Sequence, residues 1–189
     1  MVKKFFLLII VLPTLVFSQE NESQIADKGL LRAMGIISFG QLTDYEQTNL
    51  YLTGNVEYFT NQNITARGDI YYYLKSGQKQ LLNQNHQLFA GASYHFTTNS
   101  NFVPYVGFQP GIAITQSNEV TISGENEVAI TPLVSGVLGF NYFASNWFHL
   151  FIDGRYISGN HLSNNTSISL NEFRLSFGLG FNLNVLKKN

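Results

Sequence analysis

Eight stretches of the chain alternate apolar and polar residues with a period of two, at about 29–41, 50–60, 64–75, 87–98, 102–115, 130–143, 147–158 and 171–184. That period belongs to a β-strand whose two faces meet different surroundings; the 3.6-residue period of an amphipathic helix is absent. The last stretch divides most plainly. Phe173, Leu175, Phe177, Leu179, Phe181 and Leu183 share one face, and Arg174, Ser176, Gly178, Gly180 and Asn182 share the other. In the same way Phe148, Leu150, Ile152 and Tyr156 stand opposite His149, Asp153 and Arg155. The pattern predicts an all-β fold, an eight-stranded antiparallel up-and-down barrel.

Which face points outward decides the solvent. A soluble barrel of the lipocalin kind would hide the apolar face inside; a membrane barrel turns it to lipid. The connections alternate short (61–63, 99–101, 144–146) and long (42–49, 76–86, 116–129, 159–170), as do the periplasmic turns and external loops of outer-membrane barrels. Apolar-face aromatics collect at both ends. Tyr58, Phe96, Phe102, Tyr142, Phe148 and Phe181 lie near the short turns, and Phe39, Tyr72, Tyr156 and Phe173 near the long loops. Those are two interfacial girdles. Charged residues make up only 12% of the chain, about half the ~25% of soluble domains. The expected barrel is therefore transmembrane, with an apolar wall and a polar lumen.

Lys3 and Lys4, the apolar run from Phe5 to Phe17 and the Val16-Phe17-Ser18 site predict an export signal over 1–18, cleaved near Ser18. A periplasmic tail over 19–28, the barrel over 29–184 and a tail over 185–189 complete the expected organisation. No later segment is long and apolar enough for a transmembrane helix, so insertion must use a closed sheet. The absence of cysteine excludes disulfides, thiolate metal sites and a lipid-modified N-terminal cysteine. Without Lys3 and Lys4 the chain has 9 basic and 12 acidic residues, which gives no support to nucleic-acid binding.

All four arginines, Arg32, Arg67, Arg155 and Arg174, have lumen parity, as do Glu57, Asp69, Asp153 and Glu172. An unpaired charge in so confined a space is costly, so these groups should neutralise one another. Facing residues of an antiparallel hairpin have a constant sum of numbers. Arg155 with Glu172 and Asp153 with Arg174 share one such sum, and Glu57 and Arg67 lie equally far from Gln62 in a short turn. Opposite charges facing across a ladder stabilise it. The expected pairs are thus Arg155–Glu172, Asp153–Arg174 and Glu57–Arg67, filling the lumen of a barrel too narrow to conduct readily.

The signal, the eight strands and the final segment from Phe173 to Leu183 resemble the small outer-membrane β-barrel superfamily of Gram-negative bacteria, the OmpA/OmpX-type and porin-like barrels. The resemblance implies residence in the outer membrane as a monomer among lipid and lipopolysaccharide. It also implies insertion by the outer-membrane assembly machinery and an extracellular ligand at the loops. It implies no cofactor. Last strands of that group commonly end in an aromatic residue, whereas Asn184 to Asn189 follow Leu183 here.

One fragment, His161-Leu162-Ser163-Asn164 with Glu172 further on, resembles the segment of outer-membrane lipid A deacylases. There, histidine, serine and glutamate hydrolyse an ester. His86, His95, His149 and His161 show no metal-ligand spacing, and Glu119, Glu125 and Glu127 read as a solvated loop without a calcium pattern. The expected role is structural or interactive, non-enzymatic, through external loops. A narrow channel is the second reading and the deacylase the third.

Overall fold

The computed structural model describes residues 28–77, 81–118, 128–162 and 167–184. The export signal, tail residues 19–27 and 185–189, Ser163, and Glu119, Glu125 and Glu127 lie outside the described residues. Eight long strands form the wall: β1 (Leu30–Leu42), β2 (Thr48–Phe59), β3 (Ile64–Ser76), β4 (Leu82–His95), β5 (Phe102–Ser117), β6 (Val128–Ser145), β7 (Phe148–Ser158) and β10 (Glu172–Asn184). A small hairpin, β8 (Asn160–Leu162) with β9 (Ser167–Ser169), stands in the last long connection. Each long strand pairs antiparallel with its neighbours, and β1 closes on β10 from Leu30↔Asn184 to Leu42↔Glu172. The sheet is a closed barrel, so no wall edge is left to recruit other strands.

Burial alternates residue by residue, and the apolar side faces out. Leu52, Ile70, Leu88, Phe108, Leu138, Ile152 and Phe177 are all exposed, whereas Arg32, Glu57, Arg67, Asp69, Asp153, Arg155, Glu172 and Arg174 are buried. Phe39, Tyr72, Tyr156 and Phe173 are exposed toward the long connections, and Trp147 joins Phe148 and Phe181 at the opposite rim. Such a wall has no stable place in water. Among the described residues, no helix is long and apolar enough to cross a membrane. The crossing is made by strands.

Two expectations about local structure need correction. The β7–β10 register places Arg155 opposite Arg174, Asp153 opposite Ser176 and Glu172 opposite Ile157. The proposed facing pairs Arg155–Glu172 and Asp153–Arg174 therefore do not form. A slip of two residues preserves which side chains point inward, and a connection that folds its own hairpin does not fix the register as a tight turn does. The fourth strand also begins at Leu82 rather than at about 87. Its polar start had the composition of a loop.

The lumen is a packed core. A Cβ at Gly139 would lie 2.6 Å from the Tyr105 ring and 2.7 Å from the Asp153 side chain. At Gly180 it would meet His149 at 2.3 Å, and at Gly111 the Phe89 ring at 2.3 Å. These glycines are notches that let large inward side chains from neighbouring strands cross a narrow barrel.

Candidate functional site: the charged lumen and its outer cap

Inward side chains of all eight wall strands supply three tiers of polar groups along the lumen. In the outer tier, Glu172 Oε1 accepts from Arg174 Nε at 2.6 Å, while Asn49 Nδ2 and Tyr51 Oη donate to Glu172 Oε2 at 2.9 and 2.8 Å. Asn85 donates to Tyr51 Oη, Gln87 donates to Asn85, and Arg174 Nη2 donates to Gln87 Oε1 at 3.0 Å. The bonds form a closed circuit that ties β2, β4 and β10 across the barrel. The Arg174 guanidinium lies 3.9 Å from the Tyr51 ring centre and 4.1 Å from that of Tyr71. Cation–π contact of this kind gains strength where water is excluded.

Arg67 is the hub of the middle tier. It donates to Asp69 at 2.8 Å and to Asp153 across the lumen at 3.1 Å, and reaches Glu57 at 3.5 Å. Glu57 and Arg67 also face each other directly in the β2–β3 register. Asp153 accepts from Tyr105 Oη at 2.9 Å, and Asp69 accepts from Gln109 at 2.7 Å. Arg155 completes the tier through Asp69 at 3.1 Å and Ser135 at 2.8 Å. Arg155 and Arg174, opposite each other in the ladder, are thus held by different acids. In the inner tier Arg32 stands 3.9 Å from Glu57, between the rings of Phe59 and Phe143, with His95 3.4 Å from the same carboxylate.

Every hydrogen-bonded or ionic member of these tiers is at most 2% exposed. Four arginines meet four carboxylates, so the lumen is balanced, as a low-dielectric interior requires. The inner tier is the less satisfied. The side-chain amides of Asn55 and Asn141 make no hydrogen bond among the described residues, so water would enter there first. Among the described residues no group of three or more His, Asp or Glu is placed to hold a metal.

Apolar groups lie beyond the outer tier. Tyr73, Leu82, Leu133 and Ile157 join Ile168 of β9 and the following Leu170 in one cluster over the outer tier. The loops above it are knitted together. Thr43 N donates to the Asn171 carbonyl at 2.8 Å, Asp44 accepts from Ser169 and Asn171, and Leu81 N donates to Gln47 Oε1 at 2.9 Å. Described residues of three long connections thereby join in one cap, and Asn118 of the fourth adds its N–H to the Leu81 carbonyl at 2.9 Å.

His161 and Glu172, two of the three residues that resembled a deacylase triad, sit inside this assembly, while Ser163 lies outside the described residues. His161 is buried, with Nδ1 2.6 Å from Thr115 Oγ1 on β5. Glu172 gives both oxygens to Arg174, Asn49 and Tyr51. Neither side chain faces the lipid wall. Sequence reasoning picked out the eight lumen charges but not Tyr51, Asn85, Gln87, Tyr105, Gln109 or Ser135, which connect them. Their inward parity was the available signal.

Closed antiparallel topology, an apolar outer wall and a charged interior define an outer-membrane-type, eight-stranded transmembrane β-barrel. Solved structures agree. The chain is similar to neisserial surface protein A, with a TM-score of 0.64 at 16% identity over 80% of this chain and 95% of that one. It is also similar to the outer membrane protein OprG of Pseudomonas aeruginosa, with a TM-score of 0.62 at 13% identity over 85% and 99%. The N-terminal β-barrel domain of OprF from the same organism gives 0.59 at 15% identity over 82% and 98%. No protein-family model matches the sequence, and no curated protein matches it.

Proposed function

We propose that the protein is a non-conducting outer-membrane barrel that acts through its external cap, as a surface for adhesion or ligand contact and as a support of envelope integrity. One observation carries this reading: the lumen is filled by a buried, charge-balanced network of arginines and carboxylates. An ion would have to displace an arginine from its carboxylate to pass, and breaking such a buried pair costs about 3–5 kcal/mol. The described residues of the cap above it are joined by hydrogen bonds between connections, and recognition favours a surface that is already organised.

Planar-bilayer recording of the purified, refolded protein tests the proposal. A flat trace at moderate voltage is expected; reproducible unitary steps would favour the narrow channel instead. The esterase reading has a chemical obstacle, since Glu172 is engaged by three lumen partners and has no oxygen left to orient His161. Lipid A from cells producing the protein is expected to keep its full set of acyl chains by mass spectrometry.

A further inference from the structure

The apolar wall is uneven in height. On β7 it runs from Phe148 to Tyr156, about 20 Å along the axis at ~3.3 Å per residue and a ~40° tilt. On β6 the outward column runs from Tyr142 past Leu138, Val134 and Ile130 to Val128, about 35 Å on the same reckoning. The β6 column starts no lower than that of β7, since Tyr142 pairs with Leu150, two residues outward of Phe148. The excess is all at the outer end. Gly136 is the cross-strand partner of the girdle residue Tyr156, and Ile130 lies six residues farther out along β6. There Ile130 pairs with Ile114 of β5, which is also outward and 42% exposed. Ile130 is 73% exposed and Val128 59% exposed.

Isolated surface hydrophobics need no explanation, but this is a contiguous aliphatic strip above the girdle. It continues the lipid-facing column without a polar break on β6, and that continuity identifies what covers it. We infer that the upper β5–β6 face, Ile114, Val128 and Ile130, is a lipid-contact surface, solvated by acyl chains of the outer leaflet. The barrel is then inclined, or the leaflet locally thickened, so that hydrocarbon reaches higher on this side. Both are the usual responses to a wall longer than the hydrocarbon layer. The inference rests on the membrane-barrel reading and adds a direction to it.

Single-tryptophan variants in a Trp147→Phe background test it in vesicles of phosphatidylcholine with and without brominated acyl chains. Leu138→Trp, at mid-wall, is the control. Ile130→Trp is expected to emit in the blue and to lose emission to bromolipid to a similar extent as the control. A red-shifted Ile130→Trp signal, quenched by acrylamide but not by bromolipid, would overturn the inference by placing the strip in water. Blue emission that bromolipid leaves intact would overturn it too, by showing protein cover from a loop or a second copy. Failure of the Leu138→Trp control to quench would instead refute the membrane barrel itself.

Discussion

Replacement of the hub arginine separates a dry lumen from a hydrated one. Arg67→Met keeps much of the side-chain volume and removes the charge that touches Asp69, Asp153 and Glu57. Asp69 would still have Arg155 and Glu57 would still have Arg32, whereas Asp153 would retain Tyr105 as its hydrogen-bond donor. Deleting one partner of a buried ion pair costs about 3–5 kcal/mol. With two of the three acids still paired, the lower end of that range, about 3 kcal/mol, is expected. Adding Asp153→Asn to Arg67→Met restores equal numbers of lumen charges, so the double variant should recover about 1–2 kcal/mol of the loss. Urea unfolding of the barrel refolded into phospholipid vesicles, followed by Trp147 emission, gives both values. A water-filled lumen would screen these charges. Arg67→Met within about 0.5 kcal/mol of the parent, with no coupling to Asp153→Asn, would refute the reasoning.

Glycines on opposite faces should respond differently to the same methyl group. At Gly91 a Cβ would meet the Phe108 carbonyl oxygen at 2.3 Å, so Gly91→Ala should lose about 1–3 kcal/mol in urea unfolding. At Gly35 nothing lies within 4 Å, and Gly35→Ala should stay within about 0.5 kcal/mol of the parent. On the lipid wall, Leu138→Arg should destabilise the vesicle-embedded barrel by about 2–4 kcal/mol; a neutral result would mean this face does not meet hydrocarbon. Asp44→Ala removes the acceptor shared by Ser169 and Asn171. Proteolysis within 159–171 should accelerate in that variant while the urea midpoint of the barrel stays unchanged, and equal protection would show that the clasp does not hold the cap.

The strands were legible in the sequence because lipid on one side and a charged interior on the other enforce strict alternation. A slip of one residue in β1, β2, β3, β7 or β10 would have put a charge into the wall. The Glu57–Arg67 juxtaposition was legible too, because the short turn around Gln62 fixes the β2–β3 register. The β7–β10 register was not, since its connection is long and forms β8 and β9. Nor could chain spacing reveal that Arg67 on β3 reaches Asp153 on β7, or that Tyr51 meets Glu172. Those contacts cross the lumen, and their geometry exists only once the barrel closes. The polar start of β4, Asn83 to Asn85, looked like loop because its asparagines and glutamine have the composition of a connection.

All four arginines of the chain line the lumen, so guanidinium signals report on the interior alone. Water-edited solid-state NMR of the labelled protein in lipid bilayers therefore addresses the closed, solvent-excluding interior most directly. The arginine side-chain signals should gain polarisation from water far more slowly than those of the lysines. Arginine build-up as fast as that of lysine would contradict the account, because it would put bulk water where the ionic network stands.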